Sequence, residues 1–169
     1  MASGRSKPGW IPSIRSRKWL YGLCVSLDQN TAVIGAERPN EAEVFVNNDG
    51  TWSPQQLITG PEDSDFGTSV KVIGDMLMVT AYDAFNPNGI FSGVAYIFTR
   101  GGSTWTTQPD FLMAPGVNGI PGPAQDNQRF GNFATMTKAV ARRSFVIGSQ
   151  TYSEPSASLV GAVYTAILH

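Results

Sequence analysis

Histidine, cysteine and long apolar runs are scarce in this chain of 169 residues, and each scarcity argues against a class of site. The only histidine is His169, which argues against a Ser-His-Asp triad, a Cys-His pair or a histidine metal site. The only cysteine is Cys24, so these residues contain no internal disulfide, and its apolar strand pattern predicts a buried, unreactive thiol. No apolar run reaches the roughly 18 residues of a membrane-spanning helix, so no transmembrane segment is expected.

Charge is also scarce and unevenly placed. Charged residues make up 15% of the chain, below the roughly 25% of a typical soluble domain. Residues 1–20 hold five basic residues and no acid, whereas the remainder holds seven basic and thirteen acidic side chains, a net charge of −6. We predict that residues 1–8 form a flexible basic arm, and a solvated terminus is favoured over docking on an acidic surface. No nucleic-acid partner is expected, and the arm lacks the apolar core of a secretory signal.

Glycine, proline and aromatic residues are abundant by contrast, with 18 Gly, 11 Pro and 11% aromatics. Turn residues between aromatic and β-branched runs predict an all-β fold. Three related stretches recur: YGLCVSLDQNTAVIGA (21–36), FGTSVKVIGDMLMVTA (66–81) and FGNFATMTKAVARRSFVIGS (130–149). Each begins with an aromatic-Gly pair and continues through two apolar strands, a pair of small residues, a proline and a third strand. The small pairs predict close approach of a neighbouring backbone.

A fourth strand led by tryptophan is predicted in the first two units, over TWSPQQLI (51–58) and TWTTQPDFLM (104–113). Trp10 stands at an equivalent point before the first unit, and Trp10, Trp52 and Trp105 are predicted to pack within or between units. We therefore predict a propeller-like array of about three four-stranded antiparallel blades over residues 9–169, in units starting near 21, 66 and 130. The N-terminal strand is predicted to complete the last blade. Glu41 and Glu43 alternate along a third strand and are predicted to face solvent.

These motifs resemble the FG-GAP repeat, which builds the propeller of integrin α subunits. The resemblance rests on the aromatic-Gly pairs, the apolar-Gly-Ala-like steps, the prolines and the third strands GVAYIF and GAVY, and it extends from Trp10 onward. It implies a propeller used in cell adhesion or other protein-protein association, at the cell surface or outside the cell. The calcium loop D-x-D-x-D-G that many relatives carry is missing here. No metal or other cofactor is therefore expected, and PEDSD (61–65) is interpreted as a solvated acidic turn.

Three blades are fewer than the four to eight of known propellers. Three explanations are open: two chains complete a six-bladed ring, the chain is part of a larger propeller protein, or the blades form an open arc covered by another protein. Each of them predicts exposed sheet edges or faces that favour association.

No motif for catalysis is present, so we predict a non-enzymatic interaction scaffold with no catalytic residues, whose partners are proteins, including copies of itself. Loops that follow second strands in two units are the candidate partner-binding sites, over 82–91 and 150–159. The candidate residues mix aromatic and polar types, as protein and sugar contacts do: Tyr82, Asp83, Phe85, Asn86, Asn88, Phe91, Tyr152 and Glu154. A glycan- or ligand-binding propeller is the alternative function, and ordinary packed loops are the simplest alternative for these residues.

Overall fold

Twelve strands in three antiparallel sheets make up the fold of the computed structural model, which describes residues 20–107, 109–113, 129–139, 142–154 and 157–168. The predicted all-β class is confirmed. Sheet 1 contains β1 (Tyr21–Asp28), β2 (Thr31–Ala36), β3 (Glu41–Asn48) and β4 (Thr51–Thr59). Sheet 2 contains β5 (Phe66–Ile73), β6 (Met76–Ala81), β7 (Val94–Gly101), β8 (Thr104–Trp105) and β9 (Asp110–Met113). Sheet 3 contains β10 (Phe130–Ala139), β11 (Arg142–Glu154) and β12 (Ala157–Leu168).

Each aromatic-Gly pair forms a bulge at the start of the first strand of a sheet. The pairing register shifts directly after Tyr21, Phe66 and Phe130. The glycine that follows each aromatic residue has a positive φ, with values of 82°, 98° and 99° in chain order. Only glycine adopts this backbone conformation without steric cost, which explains why the pair recurs in the sequence.

Sheet 2 lies between the other two sheets, and an apolar core fills each junction. The first core joins sheets 1 and 2 and includes Val33, Val44, Val72, Leu77 and Phe98. The second joins sheets 2 and 3 and includes Met78, Ile97, Phe130, Phe145 and Ile147. The three sheets thus form an array with two inner junctions and two ends, and within the described residues they do not close into a ring. No helix in the described part of the chain has the length and apolarity to cross a membrane.

The predicted continuous fourth strand over 104–113 is wrong. Two short strands, β8 and β9, both pair with β7, and they are separated by residues 106–109. Arg100 pairs with Trp105 and Ile97 pairs with Asp110, so four residues stand opposite two residues of β7. The excess residues cannot stay in register, and Pro109 has no N–H group to donate to the ladder.

The predicted loop over 150–159 is also wrong, because most of it is strand. β11 runs to Glu154 and β12 starts at Ala157, with Tyr152 paired to Val160 and Glu154 paired to Ala157. Two register shifts absorb the irregularity between Ser149 and Glu154. The predicted N-terminal arm, Trp10 and the strand meant to complete the last blade lie outside the described residues.

Candidate functional site

Each sheet joins the preceding sheet through its bulge glycine. Gly67 of sheet 2 lies so close to Ala36 and Glu41 of sheet 1 that a side chain there would overlap their backbone atoms. A methyl group on Gly35 would likewise overlap the carbonyl oxygen of Gly67 and the sulfur of Cys24. The predicted close approach at the small-residue pair is therefore confirmed for sheet 1, since neither glycine has room for a side chain.

Hydrogen bonds from β1 reinforce the first junction along its length. The Cys24 thiol donates to the carbonyl oxygen of Gly67 at 3.0 Å. The hydroxyl oxygen of Ser26 accepts from the Val72 amide at 3.0 Å, and the Asp28 carboxylate accepts from the Gly74 amide at 2.6 Å. Burial raises the pKa of the Cys24 thiol to about 11, so the protonated donor is the stable form at neutral pH. The cysteine is thus a structural link between two sheets, and it is partly buried where its strand pattern predicted full burial.

The second junction repeats this arrangement. Gly131 of sheet 3 lies against Thr80 of sheet 2, where a methyl group would come within 2.9 Å of the Thr80 Cβ. The hydroxyl of Ser69 donates to the carbonyl oxygen of Ala134 at 3.3 Å and accepts from its amide at 3.2 Å. Ser69 and Cys24 both stand three residues after the aromatic residue of their unit, so one repeat position links consecutive sheets in both cases.

The first end face is the side of sheet 1 that points away from sheet 2, and its exposed apolar members are Leu23, Val25, Leu27 and Leu57. Val25 and Leu27 are 69% and 64% exposed. The residues at the same repeat positions in sheet 2, Val70 and Val72, are 5% and 0% exposed, because they pack against sheet 1. β1 thus exposes to solvent the apolar side chains whose counterparts in β5 are buried. The described residues leave Gly22 without a neighbour within 4 Å of where its side chain would project.

The two middle strands of sheet 1, β2 and β3, are less exposed on the same side. Ile34 and Glu43 are 4% and 7% exposed, so the exposed apolar surface is concentrated along β1 and at Leu57. Glu43 accepts a hydrogen bond of 3.0 Å from the Tyr21 hydroxyl. The prediction that Glu43 faces solvent is therefore wrong. The alternation of residues along a strand does not reveal that a neighbouring tyrosine covers this carboxylate. Burial raises the pKa of the Tyr21 hydroxyl, and the hydrogen bond to Glu43 and its negative charge raise it further.

The last end face is the side of sheet 3 that points away from sheet 2, and its exposed apolar members are Phe133, Val146, Val163 and Ile167. Phe133 and Val163 are 76% and 72% exposed. Residues at the matching positions of sheet 2 are Ser69 and Ala95, and Ala95 is fully buried by sheet 3. Gly148 stands where Gly35 stands in sheet 1, but among the described residues a methyl group there would meet only Phe133 of its own sheet, at 3.5 Å.

The loop over 82–91 lies at the junction of sheets 2 and 3. The Asn86 side chain is 4% exposed, and its oxygen accepts from the amides of Asn88 and Ile90 at 2.9 and 3.1 Å. Its NH₂ group donates to the Ser92 hydroxyl at 3.1 Å, and the Phe130 amide donates to the Ser92 carbonyl at 2.8 Å. Asn86 therefore shapes the loop, and the Ser92 carbonyl ties the loop to the start of sheet 3.

Two aromatic residues of this loop lie on its surface. Phe85 and Phe91 pair as an isolated bridge, with ring centroids 5.1 Å apart and edge-to-face geometry. Phe85 is 66% exposed. Of the predicted site residues with described side chains, Phe85 is thus the one that presents a large apolar surface. Tyr152 and Glu154 lie in β11, and the structure describes their backbone pairing alone.

Tyr82 and Asp83 lie in a cluster of charged groups with Glu37, Asp65 and Arg129. The Arg129 guanidinium lies 5.5 Å from the centre of the Tyr82 ring, and its Nε is 3.5 Å from an oxygen of Asp83. Burial raises the pKa of Asp83 and of Glu37, and the Asp65 carboxylate raises both further. Burial and a hydrogen bond to Asp65 also raise the pKa of the Tyr82 hydroxyl. Neighbouring carboxylates therefore favour the protonated forms of one another.

A groove of about 370 Å³ lies between the outer strands of sheets 1 and 2. Its apolar lining includes Ile58, Phe66, Tyr96 and Phe98. Below it, Gln56 accepts from the Trp105 amide at 2.9 Å and donates to the Trp105 carbonyl at 3.2 Å. Trp105 is fully buried, which confirms its predicted packing role. The groove thus follows from the packing of two sheets whose outer strands diverge.

The end faces were not among the predicted site residues, although the sequence contains their signal. In β1 the apolar residues Leu23, Val25 and Leu27 alternate with residues that face sheet 2. Val25 and Leu27 align with Val70 and Val72, which are core residues of sheet 2. In sheet 1 the same positions face no other sheet within the described residues. Within the described residues there is no group of three or more acidic, histidine or cysteine side chains placed to hold a metal ion. Neither a known family nor a curated protein matches the chain.

Proposed function

We propose that this protein is a non-enzymatic, FG-GAP-like propeller scaffold that associates with protein partners through its end faces. One observation carries the proposal: repeat positions that are buried at an inner junction are exposed at the ends. Val25 and Val163 are 69% and 72% exposed, whereas Val70 and Ala95 at the matching positions are 5% and 0% exposed.

The energetics favour covering these faces. Full burial of one valine or leucine side chain contributes about 1.5–3 kcal/mol, and each end face holds four exposed apolar side chains. Contiguous exposed apolar surface on a folded protein marks an interaction site. A scaffold role also suits a sequence with a single histidine and no motif for an activated nucleophile.

Light scattering coupled to size-exclusion chromatography tests the proposal. We expect the wild-type chain to associate and Val25→Glu to dissociate it, because a charge would be buried at the contact. Ser103→Glu is the matched control: it adds the same charge at an exposed turn between β7 and β8 and should leave association unchanged. A wild-type chain that is folded, stays at 18.2 kDa at every concentration and responds to neither substitution would overturn the proposal.

A second candidate function is glycan or small-ligand binding at the loop over 82–91, and exposed Phe85 beside Phe91 favours it. Aromatic faces next to polar groups suit sugar rings. A glycan array should then give a signal that Phe85→Ala removes, while Val25→Glu leaves it intact. An array without signal, or a signal that survives Phe85→Ala, would exclude this site.

A further inference from the structure

We infer that the two end faces are the two halves of one interface and that the partner is a second copy of this chain. Sheet 3 of one copy packs against sheet 1 of the other, head to tail, and the pair closes into a ring of six sheets. The inference rests on the proposed function and names its partner and geometry. Its support is the correspondence between the end faces and the two inner junctions.

The inserting half of the interface is β1. At both inner junctions the first strand of a sheet packs into the sheet before it, with its bulge glycine against the second strand of that sheet. Gly22 keeps the positive φ of Gly67 and Gly131, yet lies against nothing within the described residues. Leu23, Val25 and Leu27 continue the same stripe, so β1 has the backbone and side chains of an inserting strand.

The receiving half is sheet 3. In sheet 1, Gly35 leaves room for the backbone of Gly67, and Gly148 is its counterpart in sheet 3. The side chains around Gly148 are apolar and exposed at Val146 and Val163. This surface has the small residue and apolar surroundings that an inserting bulge requires, and no described residue occupies it. Phe133 replaces the small hydrogen-bonding residue of the other sheets, so the contact between copies is more apolar at that point.

Two copies are the smallest number that gives a ring of known propeller size. Three sheets from each copy give six, within the four to eight blades of known propellers, whereas three copies would exceed that range. An assembly with head-to-tail contacts either closes into a ring or continues as a filament. Closure into a ring buries both end faces of each chain.

Mixing two variants tests the pairing directly. Val25→Glu damages the first end face and Val163→Glu damages the last end face, and both residues are exposed, so the fold should survive. In a closed head-to-tail pair either variant damages both contacts, and each should raise the dimer dissociation constant at least about a hundredfold. An equal mixture restores one undamaged contact per pair. A dimer should therefore form on mixing, at concentrations where neither variant dimerises alone.

Three results would overturn the inference while leaving the proposed function standing. A mixture that stays monomeric excludes head-to-tail pairing, and a Val163→Glu variant that dimerises as the wild type does indicates pairing of two first end faces. Wild-type filaments exclude closure. Near-ultraviolet circular dichroism confirms the fold of each variant, and Val25→Ser with Val163→Ser provides a milder pair in the same design. A wild-type chain that never associates would count against the proposed function itself.

Discussion

At the residue scale, glycine at one repeat position has a different role in each sheet. Gly35 touches the backbone of the next sheet, whereas Gly148 has only its own sheet nearby in the part of the chain that the structure describes. The same residue type in the same unit position is therefore an inner-junction residue in one sheet and an end-face residue in the other. The sequence pattern predicted the close approach, but it does not show which glycine lies at an end.

Alanine at these two glycines should separate the two roles. We expect Gly35→Ala to lower the free energy of unfolding by about 2–3 kcal/mol, because the methyl group overlaps the Gly67 carbonyl and the Cys24 sulfur. Gly148→Ala should change it by less than about 0.5 kcal/mol, since its nearest neighbour is at 3.5 Å. Urea denaturation of dilute samples measures both values. Equal losses for the two variants would contradict the assigned junctions.

Glu37 gives a prediction about pH. The residue is 8% exposed, and burial together with the Asp65 carboxylate raises its pKa. A raised pKa means that the folded state binds the proton more tightly than the unfolded state does. The stability from this group is therefore fully present below the unfolded pKa of about 4.3 and is lost as the pH rises through the higher folded value.

Glu37→Gln should remove this loss, because the amide stays neutral. We expect the variant to melt at least about 2 °C above the wild type at pH 7, and the difference to vanish near pH 3.5. Thermal denaturation between pH 3 and 8 measures the difference. Glu62, exposed and also acidic, supplies the control variant Glu62→Gln, which should show no such trend. A Glu37→Gln variant less stable than the wild type at pH 7 would refute the assignment.

At the element scale, the repeat predicted the first three strands of every sheet well, because alternation and turn residues are local signals. It failed where tertiary pairing decides. Residues 106–109 interrupt the fourth strand of sheet 2, since β7 offers too few partners for them. In sheet 3, β11 extends to Glu154 and β12 begins at Ala157, where a loop was predicted over 150–159, because the two strands continue to pair after two register shifts. Neither outcome is visible in one strand alone.

The outer strands of sheets 1 and 2 are joined by side chains in place of a shared ladder. Gln56 bonds both the amide and the carbonyl of Trp105, and Gln55 accepts from the Trp105 indole at 3.1 Å. Gln56→Ala should cost about 2–3 kcal/mol, because two buried backbone groups lose their partner, and Gln55→Ala about 1 kcal/mol. Chemical denaturation provides both values. A larger loss of stability for Gln55→Ala than for Gln56→Ala would show that the contact with the indole holds β8 in place.

At the scale of the whole molecule, the structure is an array with two dissimilar ends. The number of sheets and their order follow from the repeat, and so does the expectation of exposed faces. The residues that form those faces do not follow from any single strand. Val25 resembles Val70 in sequence, and its exposure depends on the position of sheet 1 at the start of the array. The candidate loop residues illustrate the converse, since Asn86 resembles a binding residue but bonds within its own loop.

Sedimentation equilibrium of the wild-type chain tests the central claim, that the end faces are halves of one interface, most directly. A closed head-to-tail pair predicts one associated species of twice 18.2 kDa, in a concentration-dependent equilibrium with single chains. A single folded species of 18.2 kDa at all concentrations would contradict the account.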